Sequence, residues 1–315
     1  MHEMDDTALR LEEARFRAIH RAVHAGHAAC VDDEWLNEPC RLEDGSPAPR
    51  PVVWSRRNGA WRRVPILWVG AAPGNAGGKG AGELGAHGTR IPFGGDIAGA
   101  NIDALFGSIG LSRNDTFIVS ALNQLPEKGG GEPTAAEIAA PVGAYASSLD
   151  LLRDTLVATG PRLVVALGNV ALRATVAAAA SGGAVPRLPS PARLERAGLR
   201  RGEAAPWPTT EPLGKAFVEA WREAWGDDPL PRILWLTHPS AQNMSPYARV
   251  ETAFHRRMLE TRAALRRAVR EVLGWEPPTE RPPNPVDGIY ALPEWRERIA
   301  PRHDRLDRLW REKGI

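Results

Sequence analysis

The chain has 315 residues and a formal net charge of +2, with 43% apolar and 25% charged residues. These are ordinary globular values, and the length suits one large domain with extensions or two small ones. No apolar run approaches the ~20 residues of a membrane-crossing helix, and residues 1–6 lack the basic start of a signal peptide. A cytoplasmic protein with no membrane partner is expected, and a charge this mild does not by itself mark a nucleic-acid binder.

In chain order, residues 6–29 are expected to form a helix, since Leu9, Leu11, Phe16, Ile19 and Val23 give an apolar stripe of helical period. Cys30 and Cys40 are too few for a disulfide framework and are expected as free thiols. His20, His24 and His27 raise the question of zinc, but Cys-x9-Cys lacks the tight paired spacing of structural sites, so no metal is expected. Residues 41–63 read as a connector or an edge hairpin, with Val52-Val53-Trp54 followed by the turn signal Asn58-Gly59.

Four short runs then alternate with helical segments. Ile66-Leu67-Trp68-Val69, Thr116-Phe117-Ile118-Val119, Leu163 to Leu167 and Ile233-Leu234-Trp235-Leu236 predict strands buried on both faces. Helices are predicted over 97–110, 134–159, 169–180, 213–225 and 246–273. The second of these opens on the capping-box pattern Thr134-Ala135-Ala136-Glu137. The predicted fold class is α/β, a four-stranded parallel sheet sandwiched by helices. The Pro-, Gly- and Arg-rich stretch 181–212 reads as a long surface excursion. Residues 1–50 are taken as an N-terminal helical extension, 51–273 as the α/β domain, and 274–315 as a Pro-rich, charged C-terminal extension.

Ligands of such sheets bind beyond the carboxyl ends of the strands, which singles out the loops 70–96, 120–133, 168–169 and 237–246. The first runs Gly70-Ala71-Ala72-Pro73-Gly74-Asn75-Ala76-Gly77-Gly78-Lys79-Gly80 and on to Ile91-Pro92-Phe93-Gly94-Gly95-Asp96. Its glycines let backbone approach a ligand closely. A phosphate loop is the rival reading. It fails at Pro73, where the first Walker glycine belongs, and at Gly80, where a Ser or Thr would hold magnesium. The last loop is Thr237-His238-Pro239-Ser240-Ala241-Gln242-Asn243-Met244-Ser245-Pro246. A histidine at a strand end, fixed by a proline, is placed to serve as donor or general acid.

Together these residues resemble the uracil-DNA glycosylase superfamily over roughly 64–270. Strand-Gly-x-x-Pro-Gly is similar to its first motif and Leu236-Thr237-His238-Pro239-Ser240 to its second. Pro92-Phe93-Gly94-Gly95-Asp96, Pro133-Thr134 leading into a helix, and Ala166-Leu167-Gly168-Asn169 follow the pattern in order. The apolar Ala71 and Ala72 before the motif-one proline resemble the branch in which an aspartate after the phenylalanine replaces the usual acid.

The resemblance implies a monofunctional glycosylase that flips uracil out of DNA and hydrolyses its N-glycosidic bond. Phe93 would stack on the base and His238 would stabilise charge on its carbonyl. Asp96 or Asn75 would position the water, although Asp96 is equally suited to cap a helix. Asn123 or Ser120 would read the base edge, with Ala71 and Ala72 lining the base site; Asn123 has the amide that could pair with uracil. Gly74 stands where some members exclude the thymine methyl. Gln242, Asn243 and Met244 would fill the gap in the duplex, and Gly74, Ser240, Ser245 and Arg249 would contact DNA. Arg256 and Arg257 are expected on a solvated helix face balanced by Glu251 and Glu260. Two cysteines cannot hold the four-cysteine iron–sulfur cluster of related enzymes, so no cofactor is expected. The partner would be uracil-containing DNA, single- or double-stranded, and the protein a monomer. A phosphate-loop hydrolase and a catalytically silent DNA-binding module are the rival classes.

Overall fold

The computed structural model describes residues 65–72, 93, 97–111, 117–122, 126, 132–141, 145–180, 188–208, 213–240 and 251–279, with 40–41, 47–48 and five positions between 304 and 312. The helix expected over 6–29 and the hairpin expected over 52–59 lie outside the described residues. Strands β1 (Cys40–Arg41) and β2 (Pro47–Ala48) pair antiparallel.

The central sheet is built from β3 (Ile66–Gly70), β4 (Phe117–Ser120), β5 (Leu163–Leu167), β6 (Ala204–Ala205) and β7 (Arg232–Leu236), in the order β4-β3-β5-β7-β6. The four predicted strands are present and mutually parallel. The sheet nevertheless has five strands rather than four, because β6 runs antiparallel beside β7. It arises inside the stretch expected as a surface excursion, where two alanines carry no strand signal of their own. The turn at Gly202, with φ of +82°, sends the chain back along β7, and the Gly202 N–H donates to the Trp235 carbonyl at 2.8 Å.

Why the four runs read as continuous apolar segments is clear from the packing. Leu67, Val69, Val119, Val164, Ala166, Ile233 and Trp235 face one layer. That layer contains α3 (Ser148–Thr159), α4 (Asn169–Ala180) and α6 (Lys215–Trp225). Ile66, Trp68, Ile118, Leu163, Val165, Leu167, Leu234 and Leu236 face the other. There α1 (Ile97–Ser108) and α7 (Glu251–Ala268) cover the sheet, and α7 continues as a π-helical turn, Val269–Leu273. Helix α4 presents Ala171, Ala174, Ala177 and Ala178, all buried, so its backbone lies close to the strands.

The single helix expected over 134–159 is two. Helix α2 (Ala135–Ala139) ends before Pro141, whose ring and missing N–H oppose continuation. Ser147 then starts α3 afresh, its hydroxyl accepting from the Asp150 N–H. The capping box at the start of α2 is formed: Thr134 Oγ1 accepts from the Glu137 N–H at 3.2 Å and the Thr134 N–H donates to the Glu137 carboxylate at 2.6 Å. A short helix α5 (Pro191–Arg196) follows α4 in the chain.

The strand ends are level. Gly70 pairs with Ser120, Val69 with Ala166, and Leu167 with Leu236. Everything the sequence marks as chemically unusual follows directly after this row.

Candidate active site

The sheet order reverses between β3 and β5, since the chain leaves β3 for β4 on one side and returns to β5 on the other. A crevice beyond the carboxyl ends is the expected ligand position at such a point. Gly70, the last residue of β3, sits on its rim.

Phe93 is half-buried and has a φ of 57°, the one non-glycine residue in the left-handed region among those described. Holding an aromatic residue there costs about 1–2 kcal/mol, so the surroundings must impose it. A Cβ on Gly70 would stand 3.0 Å from Phe93 Cζ and 3.2 Å from Cε2, with Ser120 Oγ at 3.4 Å. The ring therefore rests over the bare backbone of Gly70, next to the Ser120 hydroxyl. Its other neighbour is the His238 ring, 5.6 Å away between centroids and tilted by 39°.

His238 follows β7 by two residues and is half-buried. Three contacts fix its loop. The Ser240 N–H donates to His238 Nδ1 at 3.2 Å. With Nδ1 accepting, the neutral imidazole carries its proton on Nε2, which becomes a donor. Asn101, 1% exposed on α1, donates through Nδ2 to the Pro239 carbonyl at 2.7 Å. Gly168, with φ of +90°, donates its N–H to the Leu236 carbonyl at 2.9 Å, and a Cβ on it would stand 3.4 Å from His238 Cβ. The result is a fixed N–H donor beside an aromatic ring at the end of a parallel sheet. That pairing can hold a planar heterocycle and stabilise negative charge on one of its carbonyl oxygens.

Ala71 and Ala72 are half-buried and pack against the core layer that contains α3 and α4. The Ala71 carbonyl accepts from the Leu122 N–H at 3.0 Å and the Gly70 carbonyl from the Ala121 N–H at 2.9 Å, so the β3–β4 ladder extends past both strands. Phe93, Ser120, Ala71, Ala72, His238 and Ser240 thus gather at one edge. Gly74, Asn75, Asp96, Asn123, Gln242, Asn243, Met244, Ser245 and Arg249 lie outside the described residues.

Sequence reasoning missed two features. Asn101 was part of an apolar helix, and its only signal was that a polar residue should not recur on a helix apolar all round. Arg257 was expected on a solvated face. Arg256 is exposed, but Arg257 is half-buried and lines a cavity of about 620 Å³ with Arg201 and Arg267. The partners come from the 181–212 stretch and from further along α7, so no local pattern joins them.

Comparison with known protein families places this edge in context. The family model described as the uracil DNA glycosylase superfamily matches residues 58–262, well over half of the chain and the whole segment from β3 to His238. No curated protein matches the chain.

Proposed function

The chain belongs to the uracil DNA glycosylase superfamily, and from that premise we propose that it removes uracil from DNA by hydrolysing the N-glycosidic bond, leaving an abasic site. Membership itself supports glycosylase activity on DNA in base excision repair; uracil is the finer reading. The observation that carries it is the Phe93–His238 pair, 5.6 Å apart, with the histidine proton directed to Nε2 by the Ser240 amide.

A base within the duplex cannot reach this edge, so it must first be extruded at a cost of a few kcal/mol. Stacking on Phe93 returns about 1–3 kcal/mol of that. As the bond between sugar and base breaks, its electron pair passes to the base and negative charge grows on a carbonyl oxygen. The Nε2–H of His238 meets that oxygen, and one such donor contributes about 3–4 kcal/mol. The oxocarbenium-like sugar is then captured by water held by Asp96 or Asn75, and the proton that the water loses ends on the departing uracil anion, giving free uracil and the abasic site. Asn123 or Ser120 reads the base edge; the Ser120 hydroxyl lies beside Gly70, over which Phe93 rests, which favours a part for Ser120. Met244, with Gln242 and Asn243 before it, fills the gap in the helix. Ser240, Ser245, Arg249 and the backbone at Gly74 hold phosphates. Among the described residues the lysine is Lys215, exposed at the start of α6 and not a Schiff-base nucleophile, so an intact product strand is expected. The protein works as a cytoplasmic monomer.

Incubation with a uracil-containing oligonucleotide followed by hot alkali tests this. Scission at the uracil is expected. Its absence in both single- and double-stranded substrates, matched or mismatched, would remove the uracil reading. His238→Ala should lower kcat by about 10²–10³ while retaining DNA binding.

A further inference from the structure

The arginine-lined cavity has no part in the chemistry above. Arg201, Arg257 and Arg267 line it against a single carboxylate, Glu260, and Thr237 closes it on the side of the active centre. Thr237 directly precedes His238. The cavity is therefore one residue from the catalytic histidine, next to Gly202 at the start of the β6 turn, while the Phe93 ring rests over Gly70 of β3.

Two of its three arginines are held in place before any ligand arrives. The Arg201 guanidinium lies over the Trp235 ring at 4.5 Å and donates from Nη2 to Asn169 Oδ1 at 3.3 Å. Arg267 donates from Nη2 to the Gly202 carbonyl at 2.9 Å. Each of these hydrogen bonds occupies one of five N–H donors and fixes the plane of the fork. Planar forks in a concave, net-positive cavity match the paired oxygens of a phosphodiester.

We propose that this cavity holds a backbone phosphate of the DNA strand that carries the damaged base. The proposal rests on the glycosylase reading for the identity of the strand. The lesion strand is chosen because its extruded base must lie at His238, so a phosphate of the same strand is carried close to Thr237, the next residue. Single-stranded and duplex DNA should then engage the cavity alike.

The test uses the full chain and uracil-free oligonucleotides. Dissociation constants are followed by fluorescence anisotropy over a salt titration. Two variants are compared with the wild type: Arg257→Gln/Arg267→Gln, which removes two charges from the cavity and keeps polar side chains, and Ala263→Glu, which adds a carboxylate to the cavity wall without removing an arginine. Both should bind more weakly. For each phosphate that the cavity no longer neutralises, the slope of log Kd against log salt should become shallower by about 0.9 with duplex and about 0.7 with single strands. Wild-type affinity and slope in both variants would overturn the proposal. A change confined to duplex would assign the cavity to the complementary strand and overturn it too. So would tight binding of inorganic phosphate by calorimetry with no change in slope, which would make this a site for a free phosphate ester. Because no uracil is present, a protein that releases no base yet shows the slope change loses the uracil reading and keeps the phosphate site.

Discussion

Phe93 illustrates how single residues set the geometry of this edge. Its left-handed backbone is tolerated because the ring gains a seat on Gly70, where any side chain would collide. Gly70→Ala places a methyl group 3.0 Å from the ring. The ring must then shift by a few tenths of an ångström, and kcat/KM for base release should fall by about tenfold or more, measured in single-turnover kinetics with unfolding checked in parallel. Asn101 acts at one remove, by holding the Pro239 carbonyl. Asn101→Leu keeps the volume but leaves that carbonyl without this donor, so stability should drop by about 1–3 kcal/mol. The position of the His238 ring would loosen with it, so kcat should fall further than the unfolding midpoint accounts for, whereas a purely structural role would move the midpoint alone. The sequence marked Phe93 and His238 because prolines and glycines beside them declare a loop at a strand end. It could not mark Asn101, whose partner is 138 residues away and is a backbone carbonyl that carries no identity.

At the scale of elements, both outer ends of the helical segment expected over 134–159 were legible, and the break inside it was not. Thr134 and Glu137 announce the start of α2 by spacing alone. The end of α3 is set by Gly160, left-handed at φ +48°, under the Trp225 ring of α6. Trp225 Nε1 donates to the Val157 carbonyl at 2.6 Å, so the indole both satisfies a terminal carbonyl of α3 and fills the space above its cap. A Cβ at Gly160 would stand 2.2 Å from Trp225 Cε2. Gly160→Ala therefore combines left-handed strain with overpacking, and should destabilise by about 2–4 kcal/mol in denaturant titration. The same element explains why a periodic apolar pattern suggested one helix over 134–159. The pattern reports which faces are buried, and both α2 and α3 bury a face on the same layer. Only Pro141 records the break.

Across the whole molecule, arginines join parts that are distant in sequence by donating to backbone carbonyls. Arg266, 4% exposed, donates from Nη1 to the carbonyls of Ser108 at 2.6 Å and Pro278 at 2.7 Å, tying the end of α1 to the segment that follows α7. Burial lowers its pKa, with Arg270 nearby acting in the same direction. Arg162, at the start of β5, donates to the carbonyls of Val272 and Leu273, closing the far end of α7 onto the sheet. Arg266→Met should lower stability by about 2–3 kcal/mol, since hydrogen bonds to a charged group are removed. Thermal unfolding of the full chain measures this, and an unchanged midpoint would mean that the Ser108 and Pro278 carbonyls find other donors. Four of the central sheet's five strands were legible because helices cover both faces and demand continuous apolar runs. The fifth was not, because β6 contributes backbone rather than side chains.

That fifth strand also bears on how the protein behaves at high concentration. Strand β7 is among the most apolar in the chain, and an uncapped outer ladder on it would recruit a strand from a neighbouring copy. Ala204 and Ala205 take up the positions opposite Leu234 and Ile233, and the Gly202 amide takes the Trp235 carbonyl. A two-residue strand thus pairs with part of the outer ladder of β7 and, being so short, offers a neighbouring copy little ladder of its own.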